Sequence, residues 1–106
     1  MKYWRRMWIS PSLANEKANL YKILRRGKKG PELWLIALSE DDSHLMDIYP
    51  QRILLQRHYR KSPQVVIGAA KSRGEAEELS GKIIQEVYRE TGGFALREAV
   101  LGERGA

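Results

Sequence analysis

A histidine lies among carboxylates between Asp41 and Asp47, and this combination could do acid-base chemistry. The histidine is His44, with Asp42 and Asp47 nearby in the chain. A histidine held by a carboxylate can act as a general base, and a histidine with two aspartates can bind a divalent metal. The neighbouring Ser43 lacks the Gly-x-Ser-x-Gly context of an acyl-transfer nucleophile. A solvated loop is the simpler interpretation, so the sequence favours a protein without catalytic residues, metal or cofactor, and keeps His44 with Asp42 or Asp47 as the catalytic alternative.

Aromatic and basic residues are mixed at the start of the chain, where residues 1–30 carry a net charge of +8. Aromatic faces can stack on unpaired bases while cations neutralise phosphates, which is how proteins hold single-stranded nucleic acid without reading its sequence. The alternative is that several of these cations complement the dipole at the end of a helix. The predicted binding residues, for RNA, single-stranded DNA or an acidic protein surface, are Trp4, Arg5, Arg6, Lys22, Arg25, Arg26, Lys28 and Lys29.

A second basic stretch runs through residues 48–71, which contain five Lys or Arg residues and no Asp or Glu. Its cations extend the first footprint only if the helices that carry the two stretches share one face of the sheet. The sequence leaves this placement open. The residues concerned are Arg52, Arg57, His58, Arg60 and Lys61.

A weaker candidate is an anion site at the junction that follows a predicted strand, with Gly68, Lys71, Ser72 and Arg73. A helix N-terminus offers free backbone N–H groups and a positive dipole end to an anion. The spacing matches neither of the two glycine-rich nucleotide-binding patterns. Ser72 and Glu75 also have the spacing of a helix capping box, which explains them without a ligand.

Composition limits the alternatives. The chain has 106 residues, a net charge of +6, 42% hydrophobic residues and no cysteine. This length fits one domain over residues 1–106, and the lack of cysteine excludes disulfide frameworks and thiol catalysis. The longest apolar run, residues 33–38, is far shorter than the roughly 20 residues of a membrane span. We expect a cytoplasmic protein with no membrane partner.

Hydrophobic periodicity predicts an α/β fold, with about three mainly parallel strands packed by three helices. The small residues at the end of the third strand suggest close backbone approach, as does Gly81 inside the third helix. Residues 94–101 fit a strand or a helix, and residues 102–106 are predicted to be a frayed tail. The predicted strands are 3–9, 33–38 and 65–70, and the predicted helices are 13–26, 50–59 and 72–91.

The apolar run ending at Leu38 and the strand over residues 65–70 belong to a wider pattern. With Ser72, Glu75 and Glu78, and with the helix end over residues 86–93, they resemble a group of small bacterial proteins of unknown function. The resemblance covers about residues 33–97. It implies a bacterial intracellular α/β protein and transfers no activity and no site residue.

Three functional hypotheses follow from these patterns. The leading one is a non-catalytic binding or regulatory domain whose basic N-terminal region meets nucleic acid or an acidic protein surface. The second is a homodimer or larger homo-oligomer formed through an open sheet edge or an exposed tryptophan. The third is the small enzyme built on His44.

Overall fold

A four-stranded mixed sheet forms the centre of the protein, in the order β1-β4-β2-β3. Strand β4 pairs with β1 in parallel, whereas β2 pairs with both β4 and β3 in antiparallel. The computed structural model describes residues 1–16, 33–40, 44–93 and 96–105, and only the backbone at positions 5, 14–16 and 101–105. The strands are β1 (Lys2–Ile9), β2 (Trp34–Leu38), β3 (Met46–Pro50) and β4 (Val65–Ala70).

The small domain is α/β as predicted, but the prediction of three mainly parallel strands is wrong. The missed strand is β3, which returns beside β2 after a short connection. Its five residues are all half-buried, so it carries no strong hydrophobic pattern. Pro50 looked like the first residue of a helix, but it ends β3, a position where a strand tolerates proline.

Three α-helices lie within the described residues: α1 (Arg57–Arg60), α2 (Arg73–Thr91) and α3 (Leu96–Gly105). The predicted helix 72–91 is confirmed as α2. The predicted helix 50–59 is wrong, because the end of β3 is followed by a 3₁₀ helix (Gln51–Leu55), an extended Gln56 and only then α1. Helix α3 resolves the open choice between strand and helix for residues 96–101, while residues 94 and 95 lie outside the described residues. It also includes residues 102–105, which the sequence assigned to a tail.

Most of the predicted helix 13–26 lies outside the described residues. Its first residues belong to a 3₁₀ helix (Pro11–Glu16). Leu13, in that helix, is fully buried, as its place on the predicted apolar stripe requires. No helix in the described parts of the chain has the length and apolar character to cross a membrane.

The core sits where α2 lies across the sheet and contacts all four strands. Strand β4 is buried at every position, and β2 at every position after Trp34, as expected for strands covered on both faces. The apolar stripe of α2 packs on them, with Val100 of α3 beside it. The buried residues of α2 are Ala76, Leu79, Ile83 and Val87.

The two edges of the described sheet are strands β1 and β3. Strand β1 has an irregular register against β4 between Tyr3 and Trp8, and β3 is short and ends in Pro50. Bulges, short strands and prolines are features that discourage pairing between sheet edges. The homo-oligomer hypothesis therefore receives little support from these edges and stays a prediction.

Gly68 and Gly81 differ in their surroundings. A Cβ at Gly68 would lie 3.2 Å from Ile36 Cδ1 and 3.3 Å from the Trp8 carbonyl oxygen, so the close approach predicted for this strand is confirmed. A Cβ at Gly81 would meet nothing within 4 Å. The expectation of close packing at Gly81 is wrong, because this part of α2 faces away from the sheet.

These surroundings predict opposite effects for two substitutions. Gly68→Val should destabilise the protein by about 1–3 kcal/mol, because the added atoms are forced against backbone and Ile36. Gly81→Ala should stabilise it by about 0.5–1 kcal/mol, because alanine favours a helix interior. Urea unfolding of the two variants checks both, and a Gly68→Val variant as stable as the wild type would contradict the packing described for β4.

Candidate functional site

One end of the sheet gathers polar and charged side chains, and we call it the polar end. Strands β1 and β4 begin there, β2 stops there and β3 begins there, as the pairing of the strands requires. The residues just outside the strands at this end are Ser39, His44 and Gln64. The polar end has two parts, a hydrogen-bonded network around Gln64 and a group of exposed cations beside it.

The buried side chain of Gln64 is the centre of the network. Its Nε2 donates to the carbonyl of Leu38 (3.1 Å) and to Asp47 Oδ2 (2.8 Å). Its Oε1 accepts from the hydroxyl of Tyr49 (3.1 Å) and lies 3.5 Å from the Ser62 hydroxyl. Gln64 therefore joins the end of β2 to β3 and to the segment that leads into β4.

His44 and Asp47 are in contact, as the catalytic alternative required. Nε2 of His44 lies 2.6 Å from Asp47 Oδ1 and 3.0 Å from Ser39 Oγ. The Arg97 guanidinium donates to the carbonyl of Ser39, which connects α3 to the same place. Asp42, the other predicted partner of His44, lies outside the described residues. Ser39 is a member of this cluster that the sequence did not single out.

This arrangement is not a Ser-His-Asp triad. In a triad the carboxylate binds one ring nitrogen and the hydroxyl binds the other, so that a proton can pass across the ring. Here Asp47 and Ser39 both meet Nε2, and the second oxygen of Asp47 is occupied by Gln64. Within the described residues, the His44–Asp47 contact is the geometric support for the enzyme hypothesis, which stays a prediction.

The described residues contain no group of three or more His, Asp or Glu side chains arranged to hold a metal ion. Among the residues that the structure describes at the polar end, His44 and Asp47 supply two such ligands.

The network raises the pKa of one of its members, Tyr49. Burial raises the pKa of its hydroxyl above the ordinary value of 10.0, and the negative charge of Asp47 raises it further. The hydrogen bond that Tyr49 donates to Gln64 Oε1 requires the protonated hydroxyl. The neutral form of Tyr49 is therefore the one that the folded network holds.

Exposed side chains lie on the segments beside the network, and we call them the basic rim: the cations Lys2, Arg57, Arg60 and Lys61, with the ring of His58 among them. All five side chains are exposed. The backbone N–H of Lys2 donates to the carbonyl of Gln64 (3.0 Å), and the nitrogen of Met1 donates to the carbonyl of Arg60 (2.5 Å). These bonds place the start of β1 beside α1. Within the described residues, no acidic side chain forms an ion pair with Arg57, Arg60 or Lys61.

Two aromatic rings lie within the basic rim or directly under it. The ring of Tyr59 is half-buried and packs edge-to-face on Tyr49, with 5.5 Å between centroids. The exposed ring of His58 packs edge-to-face with Tyr59, with 5.0 Å between centroids. The chain of contacts from Tyr49 through Tyr59 to His58 fixes the rim to the sheet.

The N-terminal candidates are placed differently from the prediction. Trp4 is only 6% exposed, and its ring packs 5.1 Å from that of Trp8, whose Nε1 donates to Glu86 of α2 (2.8 Å). Trp4 belongs to the core and cannot stack on a base. Arg6 is exposed. The side chain of Arg5 and the residues Lys22, Arg25, Arg26, Lys28 and Lys29 lie outside what the structure describes.

The anion-site candidates do not form a shared pocket. Gly68 lies inside β4, where Ile36 and the Trp8 backbone crowd it. The Ser72 hydroxyl accepts a hydrogen bond from the backbone N–H of Glu75 (3.1 Å), which is the contact of a helix N-cap. Arg73 pairs with Glu77 along α2 (3.3 Å). Lys71 is exposed and has its own contacts. The capping interpretation of Ser72 is confirmed.

A cavity of about 360 Å³ lies between the turn after β1 and the first half of α2. Three of the polar groups in its wall contact one another: the Ser12 hydroxyl donates to Glu75 and lies 3.1 Å from the Ser10 hydroxyl. Sequence reasoning missed this cavity because it forms only when the turn after β1 packs on α2.

In comparisons with protein-family models, curated proteins and solved structures, nothing matches this chain. The resemblance to small bacterial proteins stays a prediction. The function must therefore be argued from the polar end itself.

The capping contact at Ser72 predicts a loss of stability that does not depend on any ligand. Ser72→Ala should lower the unfolding free energy by about 1 kcal/mol, whereas Ser72→Asp, which can still cap the helix, should stay close to the wild type. Chemical denaturation measures both. Equal stability of the alanine variant and the wild type would contradict the cap.

The raised pKa of Tyr49 predicts a fall in stability at alkaline pH. The unfolded chain loses the tyrosine proton near pH 10, while the folded chain keeps it to higher pH, so stability is intact below pH 10 and falls as the pH rises through the folded pKa. Tyr49→Phe removes this contribution, and its unfolding free energy should fall less steeply above pH 10 in a series of urea titrations. The same slope in both proteins would contradict the described environment of Tyr49.

Proposed function

We propose that this protein is a non-catalytic binding domain that meets an acidic partner through the basic rim. The observation that carries the proposal is a pair of hydrogen bonds at the start of β1. The Met1 nitrogen donates to the carbonyl of Arg60 in α1, and the backbone N–H of Lys2 donates to the carbonyl of Gln64, just before β4. They join a cation of the first basic stretch to the cations of the second. The two stretches are far apart in the sequence but neighbours at the polar end.

The local charge supports this proposal. Between Asp47 and Glu75 the chain contains no acidic residue, so nothing in this segment neutralises the cations of α1. Clustered charges of one sign raise the local concentration of an oppositely charged partner and speed its association. A surface of this kind is suited to an anionic polymer more than to a single small ion.

The position of the rim on the fold also supports it. Arg57, Arg60 and Lys61 project from a short helix that hydrogen bonds and ring contacts hold against the sheet, rather than from a mobile terminus. A fixed arrangement of cations loses less conformational entropy on binding than a flexible one. The N-terminal cations predicted from the sequence, Arg6 among them, remain further candidates for the same partner.

The proposal predicts salt-dependent binding that requires the rim. A variant with Arg57→Gln, Arg60→Gln and Lys61→Gln should bind anionic polymers more weakly than the wild type, and the slope of log affinity against log salt should become shallower by about 2 for a single strand. Fluorescence anisotropy with a labelled single strand, a duplex and poly-L-glutamate, between about 50 and 200 mM salt, measures this.

The matched control removes the same number of positive charges from α2, with Arg73→Gln, Lys82→Gln and Arg89→Gln. This variant should keep most of the wild-type affinity, because its cations do not belong to the rim. Absence of binding to all three polymers, or an equal loss in the two variants, would refute the proposed function.

A further inference from the structure

The basic rim combines charge with an exposed ring. In the chain, His58 follows Arg57 and precedes Arg60 and Lys61, and all four side chains are exposed. An acidic protein surface offers carboxylates, which need only the cations. A partner that uses the ring as well offers a flat apolar face beside its negative charge, and unpaired nucleotides carry such faces along an anionic backbone.

The ring of His58 is held in a way that leaves it able to stack. The plane of the His58 ring is inclined at 78° to the plane of the Tyr59 ring, so the two rings meet edge-to-face. Such a contact occupies at most one face of each ring. The Tyr59 ring in turn packs on the Tyr49 ring, with an angle of 61° between the two planes. Tyr59 therefore supports the position of the His58 ring. The exposed His58 ring therefore has a face that a base can cover.

The size of α1 argues against a duplex as the partner. Reading a major groove requires a helix or a two-stranded ribbon that can enter it. Helix α1 has four residues and follows a short 3₁₀ helix, so it presents no such element. The bases of a duplex are also stacked on one another and leave no face for His58.

We propose that the acidic partner is a single-stranded nucleic acid, with one base stacked on His58 and its phosphates on Arg57, Arg60, Lys61 and Lys2. This inference rests on the proposed function and names its partner. Tyr59 is a positioning residue, because it contacts the stacking ring rather than the strand.

Two substitutions at His58 separate stacking from charge. His58→Gln removes the ring, and His58→Tyr keeps a ring without the imidazole. Both are compared with the wild type by anisotropy, using labelled oligothymidylate and oligouridylate of about 20 nucleotides, a duplex of the same sequence class and poly-L-glutamate.

We expect His58→Gln to weaken binding of the single strands about fivefold or more, and His58→Tyr to stay within about twofold of the wild type. Neither should change the binding of the duplex or of poly-L-glutamate. Because His58 is exposed, both variants should fold, and circular dichroism checks this. Comparing the two single strands shows whether the partner is DNA or RNA.

Two results overturn the inference in distinguishable ways. If duplex and poly-L-glutamate bind through the rim as tightly as the single strands, and His58→Gln binds them all like the wild type, the partner is a general polyanion and only the proposed function survives. If no anionic polymer binds, both proposals fail together.

Discussion

The buried side chain of Gln64 imposes the constraint on which the polar end depends. A buried amide must have its hydrogen bonds satisfied, since an unpaired donor or acceptor costs about 1–3 kcal/mol. Gln64 meets this requirement with Leu38, Asp47 and Tyr49, which belong to β2 and β3. Its backbone carbonyl accepts from Lys2 of β1. One residue at the start of β4 thus joins the ends of all four strands.

The position of the basic rim follows from this arrangement and from the return of β3. Strand β3 ends at the far end of the sheet, where Gln51 donates to Leu33, and the chain then comes back to the polar end through residues 51–61. Gln56 breaks this return into two short helices because its backbone is extended. The break prevents a long helix, and the ring of Tyr59 on Tyr49 holds the second short helix against the sheet. The cations of α1 are therefore fixed beside Lys2.

The elements with strong local signals were predictable from the sequence. Strand β4 is a continuous apolar run, and α2 has a capping serine, an apolar stripe and a left-handed glycine, Gly92, at its end. The contact between His44 and Asp47 was also predictable, because only three positions separate them. Strand β3 was not predictable from the sequence, because five half-buried residues ending in proline have no distinct hydrophobic periodicity. Trp4 was misread because the irregular register of β1 turns both Trp4 and Met7 toward the core.

The polar end itself could not be predicted from the sequence. A single glutamine in a loop has no sequence pattern that predicts a buried side chain with several hydrogen bonds. The position of Lys2 beside α1 depends on the strand order, which the sequence does not give. The sequence left open whether the helices that carry the two basic stretches share a face of the sheet, and most of the first helix lies outside the described residues. Parallel pairing of β1 with β4 brings the beginnings of these two strands together, which places the backbone of Lys2 at the polar end.

Backbone amide chemical shifts during titration with a single-stranded oligonucleotide test the central claim most directly. The account predicts that the largest shifts occur at Lys2 and at residues 57–61, with small shifts along the outer face of α2 around Lys82 and Arg89. Shifts concentrated on α2, or no shifts at a concentration of strand that saturates nucleic-acid-binding domains, would contradict the assignment of the basic rim as the binding surface.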